Sequence, residues 1–172
     1  MKTLLLLRHA KAEKGDGRIA DRDRPLKEKG REDARRMGAE IVKRGLEPDC
    51  ILCSPARRTR ETLAAVAEAF ERSPQPLFAD RLYNALPDAI LDEIAGAPED
   101  CGCIMVIGHN PGLHQLAQGL SDPERAAPGL LPRLAAEFRP GTLAVLDLDV
   151  EGWAEVEPRS GALRLLLSPD AL

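Results

Sequence analysis

The chain has 172 residues, a length that fits one domain with a substantial buried core. Its net charge of −4 and its 3% of aromatic residues argue against nucleic acid as the main partner, because nucleic-acid binding uses basic surfaces and stacking rings. No apolar run approaches the roughly 20 residues that span a bilayer, and Leu4–Leu7 is too short for a signal-peptide core, so we expect no membrane association and a cytoplasmic location.

Short apolar strands alternate with amphipathic helices along the chain. The strands are predicted over residues 3–7, 49–53, 77–79, 103–107, 142–148 and 162–167. The helices are predicted over residues 25–44, 55–71, 87–95 and 111–120, with Ser54 as the cap of the second. Residues 121–141 receive no assignment. This alternation predicts an α/β protein, a three-layer α/β/α sandwich with a mostly parallel central sheet. No linker or repeat is visible, so residues 1–172 are predicted to form a single domain.

The four cysteines allow two interpretations. Cys50-x-x-Cys53 and Cys101-x-Cys103 have the spacing of a four-thiolate zinc site. However, Cys50 and Cys53 flank a predicted strand, where residues three apart point to opposite faces and lie roughly 10 Å apart. We therefore predict free, mostly buried thiols rather than a metal site.

Basic side chains follow three of the predicted strands. Arg8 and His9 end the first strand, Arg57 and Arg58 come soon after the second, and His109 follows the strand over residues 103–107. The carboxyl ends of parallel strands are where open α/β sheets bind ligands. The pattern predicts an anion pocket with an imidazole nucleophile inside it.

Four motifs carry a resemblance to a known family. They are R-H-A-K-A at 8–12, D-R-P-L at 23–26 followed by Gly30, S-P-A-R-R-T-R-E-T at 54–62 and G-H-N-P-G at 108–112. In this order and spacing the sequence resembles the histidine phosphatase superfamily, and within it the small SixA-type phosphohistidine phosphatases. The resemblance runs over nearly the whole chain. It implies a phosphoglycerate mutase-like fold without a large cap domain.

The resemblance also implies roles for the basic residues. His9 would be the nucleophile that carries the phosphoryl group transiently. Arg8 would clamp the phosphoryl oxygens, and His109 would donate a hydrogen bond to the transferring group.

The second motif contains adjacent arginines. The family pattern places the pocket arginine four residues before a threonine, and Thr62 therefore favours Arg58, with Arg57 as the alternative. Lys11 and Arg24 are candidates for the rim of a substrate site, or else ordinary solvated charges.

The leaving group is suggested by a departure from the family pattern. Mutase-like members carry a glutamate as proton donor where this chain has Asn84, and asparagine cannot act as a general acid. A phosphohistidine needs no such acid, because imidazole leaves readily. Asp88, and after it Asp92, remain alternatives for a carboxylate that reaches the site.

The short middle segment bears on the substrate. Only about 50 residues separate the second strand from the strand before His109, which leaves little chain for a lid. An open cleft suits a phosphohistidine on the surface of another protein, but it also suits small phosphate esters.

Together these features predict a phosphatase that works through phospho-His9 without a metal or other cofactor. Its predicted substrate is a phosphorylated protein, such as a histidine phosphotransfer domain, and its product is phosphate. Two alternatives remain. One is a phosphomonoesterase or mutase for small phosphate esters, and the other is a phosphate-binding module without catalysis.

Overall fold

A single mixed sheet organises the chain in the computed structural model, which describes residues 1–72 and 74–172. The strands are β1 (Lys2–Arg8), β2 (Cys50–Cys53), β3 (Leu77–Phe78), β4 (Cys103–Gly108), β5 (Leu143–Leu148) and β6 (Gly161–Leu167). The helices are α1 (Glu28–Lys43), α2 (Arg57–Ala67), α3 (Pro87–Ala95), α4 (Gly112–Leu120) and α5 (Leu130–Ala136). None of the described helices is long and apolar enough to cross a membrane.

The strand order is β3-β2-β4-β1-β5-β6, with β1 near the centre. The pairs β1–β4, β2–β4 and β2–β3 are parallel. Strand β5 runs antiparallel to both of its neighbours, so β6 has the same direction as β1. The predicted α/β class with a mostly parallel sheet is confirmed.

Strand β1 separates two hydrophobic cores. Leu4 and Leu6 face the core that contains α3, α4 and α5, whereas Leu5 and Leu7 face the core beneath α1 and α2. Successive strand residues point to opposite faces, which is why a continuous leucine run supplies both layers. Between β2 and β4 the described chain forms α2, β3, α3 and a 3-10 turn, so no large cap covers this end of the sheet, as expected.

Two helix starts differ from the prediction. Helix α2 begins at Arg57, because Ala56 is still extended at φ −58° and ψ 147° and the Ser54 side chain does not cap the helix. Helix α1 begins at Glu28, because Leu26 pairs with Ala12 in an isolated bridge and donates its N–H to the Glu61 carboxylate at 2.8 Å.

Two boundaries in less regular stretches also differ. The second helix ends at Ala67 rather than near Glu71, and Ser73, part of the predicted break that follows, lies outside the described residues. The unassigned stretch 121–141 contains α5, whose Leu134 is buried in the core beneath α4.

The prediction of four free thiols is wrong for two of them. Cys50 and Cys101 form a disulfide with their Cα atoms 6.1 Å apart. The parallel β2–β4 pairing places Cys50 opposite Ile104, which brings the segment before β4 alongside the start of β2. Cys53 and Cys103 are free, and Cys53 packs in the core opposite to the one that Cys50 contacts. Cys50 and Cys53 therefore lie on opposite faces of the sheet, as predicted.

Two glycines allow close backbone contacts around α1. A Cβ atom at Gly30 would lie 2.2 Å from the carbonyl oxygen of Lys11, and one at Gly38 would lie 2.3 Å from that of Val66. The first contact sets α1 against the loop that follows β1. The second sets α1 against α2, which carries the second motif.

Candidate active site

His9 lies immediately after β1 with only 9% of its surface exposed. Its Nδ1 is 2.8 Å from the carbonyl oxygen of Ala10. A carbonyl can only accept, so Nδ1 carries the proton and Nε2 keeps its lone pair. Burial, together with the positive charges of Arg58 and Arg8, lowers the pKa of His9 to about 4. The imidazole is therefore neutral at physiological pH, with Nε2 as a nucleophilic atom.

The backbone around His9 is held from three sides. The N–H of His9 donates to Gly108 at 3.0 Å, and its carbonyl accepts from the N–H of Gly141 at 2.9 Å. The Thr62 hydroxyl accepts from the N–H of Ala10 at 3.0 Å. Thr62, whose position in the sequence favours Arg58 as the pocket arginine, therefore also ties α2 to the loop that follows β1.

His109 follows β4 and lies beside His9, with 5.4 Å between the ring centroids. Arg58 Nη2 donates to its Nδ1 at 3.2 Å, and its Nε2 is 2.7 Å from the hydroxyl oxygen of Ser54. A guanidinium can only donate, so Nδ1 accepts and Nε2–H donates to Ser54. Burial, followed by the charge of Arg58, lowers the pKa of His109 to about 3. His109 is therefore neutral as well.

Ser54 is a site residue that sequence reasoning missed, since it was assigned to a helix cap. Its side chain is fully buried against His109. The pairing of β2 with β4 brings the residues after these strands together, and no local pattern in the sequence signals it.

Arg58 lies in the first turn of α2 and is 2% exposed. Its Nη1 donates to the backbone carbonyl of Asp21 at 2.7 Å and its Nη2 to the Asp21 carboxylate at 3.1 Å. The Tyr83 hydroxyl donates to the same carboxylate oxygen, and Arg24 Nε donates to the other at 2.9 Å. The hydrogen bond from Tyr83, with those from Arg24, lowers the pKa of Asp21 well below its usual range. Sequence reasoning also missed Asp21 and Tyr83.

Arg8 completes the positive wall of the site. Its Nη1 donates to the carbonyl of Phe138 at 2.8 Å, and Asn110 Nδ2 donates to the same oxygen at 2.9 Å. The Nε atoms of both Arg8 and Arg58 are buried and have no hydrogen-bond partner among the described residues. Two buried guanidinium N–H groups without an acceptor fit the oxygens of a bound anion.

The remaining basic candidates lie farther out. Arg57 is exposed and pairs with Glu61 at 2.7 Å, so the structure brings Arg58, rather than Arg57, to His109. Lys11 lines a separate cleft of about 250 Å³ beside Lys29. Arg24 reaches the site through Asp21.

The residues proposed around the leaving group lie at the surface. Asn84 is exposed and has a left-handed φ of 47°, and it follows Tyr83, whose ring stands edge-on to His109 at 5.5 Å. Asp88 is exposed in the first turn of α3. Asp92 pairs with Arg81 at 2.7 Å. Within the described chain neither carboxylate forms a hydrogen bond with His9 or His109.

Comparison with known proteins gives the family. The model of the histidine phosphatase superfamily (branch 1) matches residues 4–84. The structure of a candidate phosphohistidine phosphatase, SixA, from Nakamurella multipartitia is 34% identical, with a TM-score of 0.84 over 98% of this chain and 96% of that one. The chain belongs to the histidine phosphatase superfamily. A second candidate SixA structure, from Agrobacterium tumefaciens, is 30% identical, with a TM-score of 0.79 over 98% of both chains.

This SixA-type histidine phosphatase also has sequence relatives without an assigned function. An uncharacterized protein of Mycobacterium tuberculosis is 35% identical over 158 residues, which are 91% of this chain and 96% of the relative. The resemblance drawn from the four motifs is confirmed, together with the phosphoglycerate mutase-like fold that it implied.

Proposed function

We propose that this phosphatase hydrolyses phosphohistidine on a protein through a phospho-His9 intermediate. The proposal rests on the protonation state and tautomer of the His9 imidazole. Its Nδ1–H is fixed on the Ala10 carbonyl, so the lone pair resides on Nε2 beside two buried guanidinium groups. A non-catalytic phosphate-binding module would need the guanidinium groups but not a neutral, oriented nucleophile.

The proposed reaction has two displacements. In the first, His9 Nε2 forms a bond to phosphorus while the bond from phosphorus to the substrate imidazole breaks, and that imidazole takes up a proton from solvent. In the second, water attacks phospho-His9, which releases phosphate, returns the electron pair to Nε2 and gives a proton to solvent. Splitting the transfer replaces one difficult step with two easier ones.

Arg8 and Arg58 are proposed to stabilise the charge on the three equatorial oxygens in each transition state. Fixed positive groups supply most of the catalysis in phosphoryl transfer, and here two guanidinium groups supply them. We therefore propose that the reaction needs no metal.

His109 is proposed to donate to the transferring group once it is protonated. The negative charge of a bound phosphoryl group raises the pKa of a neighbouring imidazole. Ser54 accepts from Nε2–H, so the added proton resides on Nδ1. The hydrogen bond that Nδ1 accepts from Arg58 in the structure then breaks, and Nδ1–H and Arg58 Nη2 both donate to phosphoryl oxygens. Ser54 therefore orients His109 in both protonation states.

The preference for phosphohistidine rests on the groups around the leaving group. Asn84 stands where mutase-like relatives have a glutamate, and Asp92 is paired with Arg81. An alkoxide leaving group needs a general acid, whereas an imidazole does not. The names of the Nakamurella and Agrobacterium neighbours point to the same substrate.

The test is a comparison of kcat/KM in the presence of EDTA. The substrates are a phosphorylated histidine phosphotransfer domain, phosphoramidate, an aryl phosphate and a set of sugar phosphates. We expect the two substrates with a P–N bond to react fastest. A preference for sugar phosphates would contradict the proposal that phosphohistidine is the substrate. Activity that is lost in EDTA and returns only when a divalent metal is added back would contradict the metal-independent mechanism.

A further inference from the structure

A groove of about 810 Å³ runs along the outer face of α2, beside the candidate active site. Its apolar lining includes Ala64 and Phe78, and three arginines, Arg22, Arg57 and Arg60, stand along it. This volume is within the range of pockets that bind drug-sized groups. The groove therefore offers a contact surface on α2, the helix that also carries Arg58.

The chain connects this groove directly to the active site. Arg57, on its wall, immediately precedes Arg58, and Arg22 immediately follows Asp21, whose carboxylate binds Arg58. Arg57, Arg60 and Ala64 share one face of α2, because residues three and four apart are neighbours on a helix. A partner seated in the groove would reach the mouth of the active site.

The edge strand β3 supplies exposed apolar surface. Phe78 is 45% exposed and lines the groove, whereas Leu77, which is 58% exposed, points to the opposite face and lines a different cleft. Among the described residues their strand pairs only with β2. The guanidinium of Arg60 lies 5.5 Å from the centre of the Phe78 ring. Exposed apolar side chains on an unpaired sheet edge are typical of an interaction surface.

The charges around the groove favour an acidic occupant. Arg60 forms no ion pair within the described residues, although it lies on a protein of net charge −4. Arg57 and Arg22 pair with Glu61 and Asp80 at 2.7 and 2.6 Å, and both arginines are about half exposed. Such surface pairs contribute little stability, so carboxylates of a partner can replace them.

Two carboxylates also line the groove. Asp23 forms no ion pair within the described residues and offsets one of the three arginines, whereas Glu61 is largely committed within the protein. Its carboxylate accepts from the N–H of Leu26 at 2.8 Å and from Arg31 at 3.0 Å, besides Arg57. Its charge is therefore largely compensated, and Arg60 remains available to a partner.

We propose that this groove docks an acidic segment of the phosphorylated substrate protein. One apolar side chain of that segment packs on Phe78, its carboxylates bind Arg60 and Arg57, and its phosphohistidine reaches His9. The inference rests on the proposed function and adds to it the surface that selects a protein over a small phosphoramidate.

The experiment uses Arg60→Glu, with Arg125→Glu as its control. Arg125 is an exposed arginine whose Nη1 donates a hydrogen bond to the carbonyl oxygen of Ser160. Ser160 immediately precedes β6, at the opposite end of the sheet from His9. For each protein, kcat/KM is measured on an acidic phosphorylated histidine phosphotransfer domain and on phosphoramidate. We expect Arg60→Glu to lose about tenfold or more on the protein substrate, mainly through KM, and to keep wild-type activity on phosphoramidate. Arg125→Glu is expected to resemble the wild type on both.

Equal turnover of the phosphoprotein by Arg60→Glu and the wild type would overturn the docking surface while leaving the proposed function intact. No turnover of the phosphoprotein by the wild type, with phosphoramidate still hydrolysed, would overturn both. If Arg60→Glu lost phosphoramidate activity through misfolding, Phe78→Ala would take its place with the same expected pattern. A wild-type dimer that Arg60→Glu makes monomeric would assign the groove to a second copy of the chain and contradict the proposal.

Discussion

Among single residues, the proposed chemistry depends on which groups face the anion. Arg57 and Arg58 are adjacent in sequence, yet one is paired with Glu61 at the surface and the other is buried against His109. Helix geometry explains the difference, because consecutive helical residues point about 100° apart. The sequence identified Arg58 as the pocket arginine only through the spacing of the family motif. Its contacts with Asp21 and His109 depend on the tertiary structure.

These adjacent arginines form a matched pair for mutation. Arg58→Ala removes a buried guanidinium with a free N–H and should lower kcat/KM for an aryl phosphate by about a hundredfold or more. Arg57→Ala removes an exposed ion pair and should change kcat/KM for the same substrate less than about twofold. Steady-state kinetics on both variants checks this. Similar losses in the two variants would contradict the placement of Arg58.

Both active-site histidines should remain neutral at pH values well below the ordinary histidine pKa of 6.5. The pKa of His9 is lowered from 6.5 to about 4 by burial and nearby arginines. NMR titration of the imidazole resonances, assigned with His9→Asn, should show no protonation of His9 at pH 5.5. A midpoint near that of an unfolded-chain histidine would contradict the proposed burial and tautomer.

The lowered pKa values of His9 and His109 also make the folded protein less stable in acid. The unfolded chain binds protons at His9 and His109 more readily than the folded protein does. The stability that these neutral histidines contribute is therefore fully present above about pH 6.5, and it is lost as the pH falls towards a pKa of about 4 for His9 and about 3 for His109.

At the scale of secondary-structure elements, the strands that end in basic residues were predictable because each is a short apolar run. The approach of α2 to α1 was not, since it depends on a glycine that no periodicity identifies. A Cβ at Gly38 would lie 2.3 Å from the Val66 carbonyl oxygen, whereas one at Gly119, in α4, would contact nothing within 4 Å.

This contrast gives a stability prediction. Gly38→Ala should destabilise the protein by about 1–3 kcal/mol through overpacking between α1 and α2. Gly119→Ala should stabilise it by about 0.5–1 kcal/mol, because alanine loses less backbone entropy in a helix. Urea denaturation of both variants measures the two values. Equal effects would mean that α1 and α2 do not approach as described.

At the scale of the whole molecule, the fold class was predictable and the assembly of the site was only partly so. Strand-end residues such as His9 and His109 could be found, because parallel strands bring their carboxyl ends to one edge. Asp21 and Tyr83 could not, since they lie in irregular segments that only the tertiary structure brings to Arg58. The Cys50–Cys101 disulfide was missed for a similar reason, because it depends on the pairing of β2 with β4.

The proposed mechanism requires His9 to carry the phosphoryl group. The most direct measurement is mass spectrometry of the enzyme after rapid alkaline quenching of a reaction with phosphoramidate, since phosphohistidine is lost in acid. We expect one phosphate on His9 in the wild type, formed at least as fast as turnover, and neither phosphoenzyme nor turnover in His9→Asn. Turnover that persists in His9→Asn, or phosphate on a different residue, would contradict it.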